Sequence, residues 1–141
     1  MTNDLIRATA IINTTIRHQL DAALRPLGLS EVNYYYLLVV AEQPGINQAD
    51  LTARIVRDQS TVTRQVDRLV KQGWLTKRQA PTDARQSALF LTPQAQAILP
   101  QLWAINQTVN ETALASLTPA EQTTLLNLLS KTFDGLSQDY H

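Results

Sequence analysis

The sequence predicts a mainly helical protein in which a helix-turn-helix leads into a two-stranded hairpin. Three observations predict it. Apolar residues recur every three or four positions over most of the 141-residue chain, the period of one helix face. Near residues 48–72, two short amphipathic stretches are separated by only a few residues, the spacing of a helix-turn-helix. Eight of the twelve basic residues crowd between Arg54 and Arg85, immediately around that unit.

The elements follow in order. Residues 4–25 form a first helix, with Leu5, Ala8, Ile12, Ile16, Leu20 and Ala23 in its stripe and Pro26 and Gly28 ending it. Ser30 is a good N-cap for a second helix at 31–42, closed by Pro44 and Gly45. Val32, Tyr35, Tyr36 and Val39 lie on one side of it and Leu37, Leu38 and Ala41 on the other, so burial on all sides is expected. Asn47 and Asp50 start a short third helix at 48–54, whose inner side is Ala49, Leu51 and Ile55. Asp58 caps a fourth helix at 59–72, backed by Val62, Val66, Leu69 and Val70 and stopped by Gly73.

Leu75–Gln79 and Ser87–Thr92 read as strands flanking a tip at 80–84, with Trp74 filling core beneath them. A long helix at 93–115 contains Pro100, a residue that can kink it, and carries Trp103 toward core or a subunit interface. Thr118, Pro119 and Glu121 form a capping box with proline at the first helical position, opening an apolar last helix.

Composition excludes several chemistries. There is no cysteine, hence no disulfide, thiolate nucleophile or cysteine-based zinc site. Two histidines, His18 and His141, are too few and too scattered for a histidine metal site. No Gly-rich phosphate loop, Ser-His-Asp set or paired carboxylates can be placed, so neither an enzyme nor a cofactor is expected. No apolar run approaches the roughly 20 residues of a membrane span, and the N-terminus lacks a signal-peptide pattern. The expectation is a cytoplasmic protein without membrane contact.

The formal net charge is zero, but it is segregated. Between Arg54 and Arg85 eight basic residues face three acidic ones, a surplus of five positive charges, and the rest of the chain carries the balancing excess of acid. A basic segment on an acidic body is the electrostatic footprint of a nucleic-acid binder.

The fourth helix has the pattern this requires. Opposite its valine and leucine stripe lie Arg57, Ser60, Thr61, Arg64, Arg68 and Lys71. Ser60 and Thr61 are small enough to let the backbone approach phosphates or base edges. Arg64 can reach a guanine edge or a phosphate, and Arg68 and Lys71 suit the sugar-phosphate backbone. The hairpin adds Lys77, Arg78 and Arg85; an arginine at a loop tip can enter a narrow minor groove. Asp83 suits orienting Arg85 or capping the turn. A basic helix face alone is most often solvated surface. Its helix-turn-helix setting and the basic hairpin after it favour double-stranded DNA.

Residues 46–92 also carry a recognisable set: Ile46 to Leu51, the Ser-Thr-Val-Thr-Arg run at 60–64, Asp67-Arg68-Leu69, Gly73-Trp74-Leu75, Asp83-Ala84-Arg85 and Leu91-Thr92. This resembles the multiple-antibiotic-resistance regulator (MarR) family of transcription factors. The resemblance implies a winged helix-turn-helix, with a recognition helix at 59–72 in the major groove and a wing at 75–92 whose Arg85 reaches the minor groove. It implies a single domain over 1–141. Residues 29–92 would be the DNA-binding lobe, and helices from 1–28 and 93–141 would intertwine in a homodimer. It implies a repressor on a pseudo-palindromic operator, released by a small aromatic or phenolic effector near Arg17, His18, Tyr34, Tyr35 and Tyr36. Pro93-Gln94-Ala95 departs from a glycine common after the Leu-Thr pair, and the cysteine of oxidant-sensing members is missing. The rival reading is a winged helix used for protein contacts without sequence-specific DNA binding.

Overall fold

The computed structural model describes residues 3–80 and 83–137, with backbone alone at 80 and 83–86. It divides into two compact units, Met1–Asn106 and Gln107–His141.

The first unit opens with α1 (Leu5–Leu24), capped by Asp4, whose side chain accepts from the Ile6 and Arg7 amides. A 3₁₀ turn, Arg25–Leu27, follows and ends at Gly28 in the left-handed region (φ 75°). Ser30 then caps α2 (Glu31–Glu42) by accepting from the Asn33 amide. Next come β1 (Ile46–Asn47), α3 (Gln48–Ile55) and α4 (Gln59–Lys71). The strands β2 (Leu75–Ala80) and β3 (Asp83–Leu91) lead into α5 (Pro93–Leu114), which runs helically through Pro100 and crosses into the second unit.

The expected two-stranded hairpin, β2 with β3, is joined by the short β1 in a three-stranded antiparallel sheet ordered β1-β3-β2. Ile46 pairs with Leu89 and Asn47 with Ala88, and the Gly45 amide donates to the Leu89 carbonyl at 2.8 Å. Two residues give no alternation to read, which is why β1 is not legible in sequence. β3 also begins earlier than expected: Ala80 pairs with Asp83, after an irregularity at Gln79/Ala80.

The core lies between α2, α3, α4 and the sheet. Leu37, Val40, Leu51, Val62, Val66, Leu69, Leu75 and Leu89 are buried within it, as is Trp74. Two expectations need correcting, and a third narrows. Val32 and Tyr35 are 40% and 47% exposed, because α1 covers only part of that side of α2 within the chain. Ala49 is exposed as well, since Leu51 and Ile55 alone turn inward on so short a helix. Trp103 is 38% exposed, which removes the core alternative of its expectation and leaves the subunit-interface one.

In the second unit, α6 (Pro119–Ser137) opens with the expected capping box. The Thr118 amide donates to Glu121 Oε1 at 2.9 Å and the Glu121 amide to Thr118 Oγ1 at 3.2 Å. Gln122 fastens the corner before it, donating to the Leu114 and Leu117 carbonyls. Leu125, Leu126, Leu128, Leu129, Phe133 and Leu136 are all exposed, and α6 has no buried residue.

Candidate nucleic-acid interface

Positioning of α4 starts from its underside. Val62, Val66 and Leu69 are each 0% exposed, and they recur at the three- and four-residue steps of one helix face. The opposite side must therefore face out, and Arg57, Ser60, Arg64, Arg68 and Lys71 are all exposed. Thr61 is only half-buried, between the two faces. Side-chain bonds from α3 and α2 hold α4 in place. Gln48 Nε2 donates to Thr63 Oγ1 at 2.7 Å from α3, and Gln65 donates to the buried Asn33 of α2.

The turn into α4 is Val56-Arg57-Asp58. Val56 adopts a left-handed conformation (φ 58°), a strained state for a β-branched residue. Asp58 is more than the backbone cap its position suggests. Its Oδ1 accepts from the Thr61 amide at 2.8 Å and from Ser60 Oγ at 2.6 Å, while Oδ2 accepts from Thr61 Oγ1 at 2.8 Å. Led by the Ser60 hydroxyl, these bonds hold the carboxyl well below the usual carboxylate range. Sequence reasoning missed this clamp, although an Asp-x-Ser-Thr spacing at a helix start could have signalled it.

The basic residues are not equally free. Lys77 Nζ lies 2.8 Å from Asp67 Oδ1, tying β2 to α4. Arg54 pairs with Glu42 at 2.7 Å. Arg78 lies over the Phe90 ring, 4.7 Å from its centroid, so its guanidinium is held along the sheet by a cation–π contact. Asp83 and Arg85 stand in β3, but their side chains lie outside the described residues.

Behind α4 is a cavity of about 300 Å³, lined by residues that include Arg17, Glu31, Tyr35, Tyr36, Arg57 and Thr61. It gathers three of the five residues named for a ligand. Tyr34 is instead buried on another side, where its hydroxyl donates to Asn106, and His18 is exposed on α1. Arg17 Nε pairs with Glu31 Oε1 at 2.7 Å. Burial raises the Tyr36 hydroxyl pKa, with Arg57 opposing and Asp58 reinforcing the shift. Burial, and secondarily Tyr35, pushes Tyr34 up to about 12. Among the described residues no cluster of histidine and carboxylate side chains could hold a metal ion, and no helix is long and apolar enough to cross a membrane.

A small antiparallel sheet behind a helix-turn-helix, with a basic outward face on the second helix, defines a winged helix-turn-helix. Residues 29–87 match the MarR family model. Residues 29–87 thus carry a MarR family domain, and the proteins this chain is similar to are transcriptional regulators. It is 27% identical, over 98% of its length and 92% of the relative's, to the uncharacterised HTH-type transcriptional regulator YybA of Bacillus subtilis (strain 168). It is similar to a Listeria monocytogenes protein described as a MarR family transcriptional regulator, complexed with 26mer DNA. That match has a TM-score of 0.91 and 26% identity, covering 99% of this chain and 93% of the other. It is also similar to a mutant of Escherichia coli MarR complexed with operator DNA, with a TM-score of 0.84 and 28% identity over 91% and 92% of the two chains.

Proposed function

We propose that this chain binds a pseudo-palindromic operator as a homodimer and represses transcription by occupying it. In this reading α4 enters the major groove and the β2–β3 wing reaches the adjacent minor groove through Arg85. The single observation that carries it is the division of α4 between a fully buried Val62-Val66-Leu69 side and an exposed side bearing Arg64, Arg68 and Lys71. The two similar proteins with DNA add support. A protein-contact module would be expected to show apolar or acidic side chains there. The test is affinity for duplex DNA against salt. Phosphate-driven binding falls with a log–log slope of about −0.9 per phosphate neutralised; flat salt dependence defeats the proposal.

A second copy would cover apolar surface that each unit leaves open. Leu5, Ile6, Ile11 and Ile12 of α1 are exposed, as is the whole leucine-rich face of α6. These helices, with α5, would form the dimerisation lobe, and residues 29–92 the DNA-binding lobe. Two-fold pairing would set the two recognition helices about 34–36 Å apart, one DNA turn.

The cavity behind α4 suits a small aromatic or phenolic effector, with Tyr35 and Tyr36 for ring contact and Arg17 and Arg57 for an anionic group. Release requires that such a ligand bind the DNA-incompetent arrangement better than the competent one.

A further inference from the structure

We infer that Ser60 acts as a hydrogen-bond acceptor toward DNA and selects an amino-bearing base, cytosine or adenine, because its hydroxyl proton is already committed to a hydrogen bond with Asp58. The inference rests on the proposed docking of α4 in the major groove and adds a polarity to one of its contacts.

A carboxylate can only accept hydrogen bonds, while a hydroxyl has one proton to give and two lone pairs. Ser60 Oγ is 2.6 Å from Asp58 Oδ1, and Thr61 Oγ1 is 2.8 Å from Oδ2. Both hydroxyl protons are therefore directed at Asp58. The capping bond from the Thr61 amide to the same Oδ1, 2.8 Å, holds the carboxylate in place to receive them. What remains outward on the exposed Ser60 is oxygen lone pairs.

Phosphate oxygens, guanine O6 and N7 and thymine O4 are all acceptors, and an oxygen without a free proton gains nothing from them. The donors in the major groove are cytosine N4 and adenine N6. Thr61 has the same polarity but is half-buried and lines the cavity, so Ser60 is the reader. Arg64, one helical turn on, presents only donors. The exposed side of α4 thus offers an acceptor and a donor fork one turn apart. In this arrangement Asp58 is a positioning residue: it sets the direction of a contact that it does not make.

The test is enrichment of random duplexes on the purified full chain, followed by competition with single-base variants, for wild type, Ser60→Ala and Asp58→Ser. Serine is as good an N-cap as aspartate, so the helix start is retained. Its one neutral oxygen is kept by the Thr61 amide, so Thr61 Oγ1 loses its Oδ2 partner and the Ser60 hydroxyl loses the charge that held its proton inward. The expected wild-type result is one position per half-site preferring cytosine or adenine about three- to tenfold, the worth of one net hydrogen bond. Ser60→Ala erases that preference and leaves the others. Asp58→Ser moves it toward guanine or thymine on the same strand. Unchanged preferences in both variants overturn the inference, as does a loss that is uniform across sequences. Loss in Ser60→Ala without a move in Asp58→Ser overturns the role of Asp58. If wild type enriches no duplex, the docking of α4 itself falls with the inference; if it does enrich one, only the hydroxyl polarity is at stake.

Discussion

Lys77 on the wing and Asp67 on α4 meet at 2.8 Å, so the hairpin is fastened to the proposed recognition helix by an ion pair. With both groups partly in water, the pair contributes about 0–1 kcal/mol to stability. Asp67→Ala should leave thermal stability nearly unchanged. It should also tighten DNA binding and steepen its salt dependence, by freeing Lys77 and removing a negative charge from α4. Weaker binding in Asp67→Ala would show that wing placement outweighs the released charge. The readout is a shift assay at several salt concentrations beside a melting curve.

Arg64 and Arg85 are proposed for different grooves and should fail differently. Arg64→Ala is expected to cost about 1–3 kcal/mol on the specific site and relax preference at one or two base pairs. Arg85→Ala should weaken binding with little change among major-groove preferences. Competition assays separate them; identical profiles for the two variants would contradict the assignment.

Val56 holds a left-handed backbone (φ 58°) with its side chain 43% exposed. Asparagine tolerates that conformation, whereas a β-branched residue is strained in it. Val56→Asn is predicted to stabilise the chain by roughly 1 kcal/mol, against the usual direction for replacing an apolar residue. Urea unfolding checks it. By contrast, Leu69→Ala empties a 0% exposed site and should cost about 2–5 kcal/mol.

Tyr34 keeps its proton to about pH 12, since burial opposes the tyrosinate. Below about pH 10, the ordinary tyrosine value, folded and unfolded chains hold the same proton and the group adds no pH dependence. Above it the unfolded state ionises first, so stability falls as pH rises from 10 towards the folded value of about 12. Tyr34→Phe should flatten that part of the stability profile. An unchanged alkaline slope in the variant would refute the assignment.

The exposed leucine face of α6 predicts self-association. Leu129→Glu with Phe133→Glu should yield monomers in sedimentation and abolish high-affinity operator binding. Retention of a wild-type dimer by the double variant would place the interface elsewhere.

Much of this architecture is legible in the sequence where local chemistry decides the outcome. Ser30 and Pro44-Gly45 bracket α2, and the Thr118–Glu121 box starts α6, because caps act within a few residues. The α4 stripe is equally plain, since burial on one side imposes its period. Features set by distant partners are not legible. β1 exists only because β3 pairs with it, and Val32 and Tyr35 stay partly exposed because α1 covers only part of that side of α2. Within the candidate interface, residue types point to Arg64, Arg68 and Lys71. They do not reveal that Lys77 is tied to Asp67, that Arg78 lies on Phe90, or that Asp58 holds the hydroxyl protons of Ser60 and Thr61. Those depend on which side chains the fold brings together, within about 3 Å for the hydrogen bonds and the ion pair and 4.7 Å for Arg78 on the Phe90 ring.

Footprinting of the selected operator by backbone cleavage tests the central claim most directly. Two protected patches on one face of the duplex, centred about 10 base pairs apart and flanked by minor-groove protection that Arg85→Ala removes, are the predicted result. A single patch, or protection that ignores sequence, would contradict a paired, groove-reading α4.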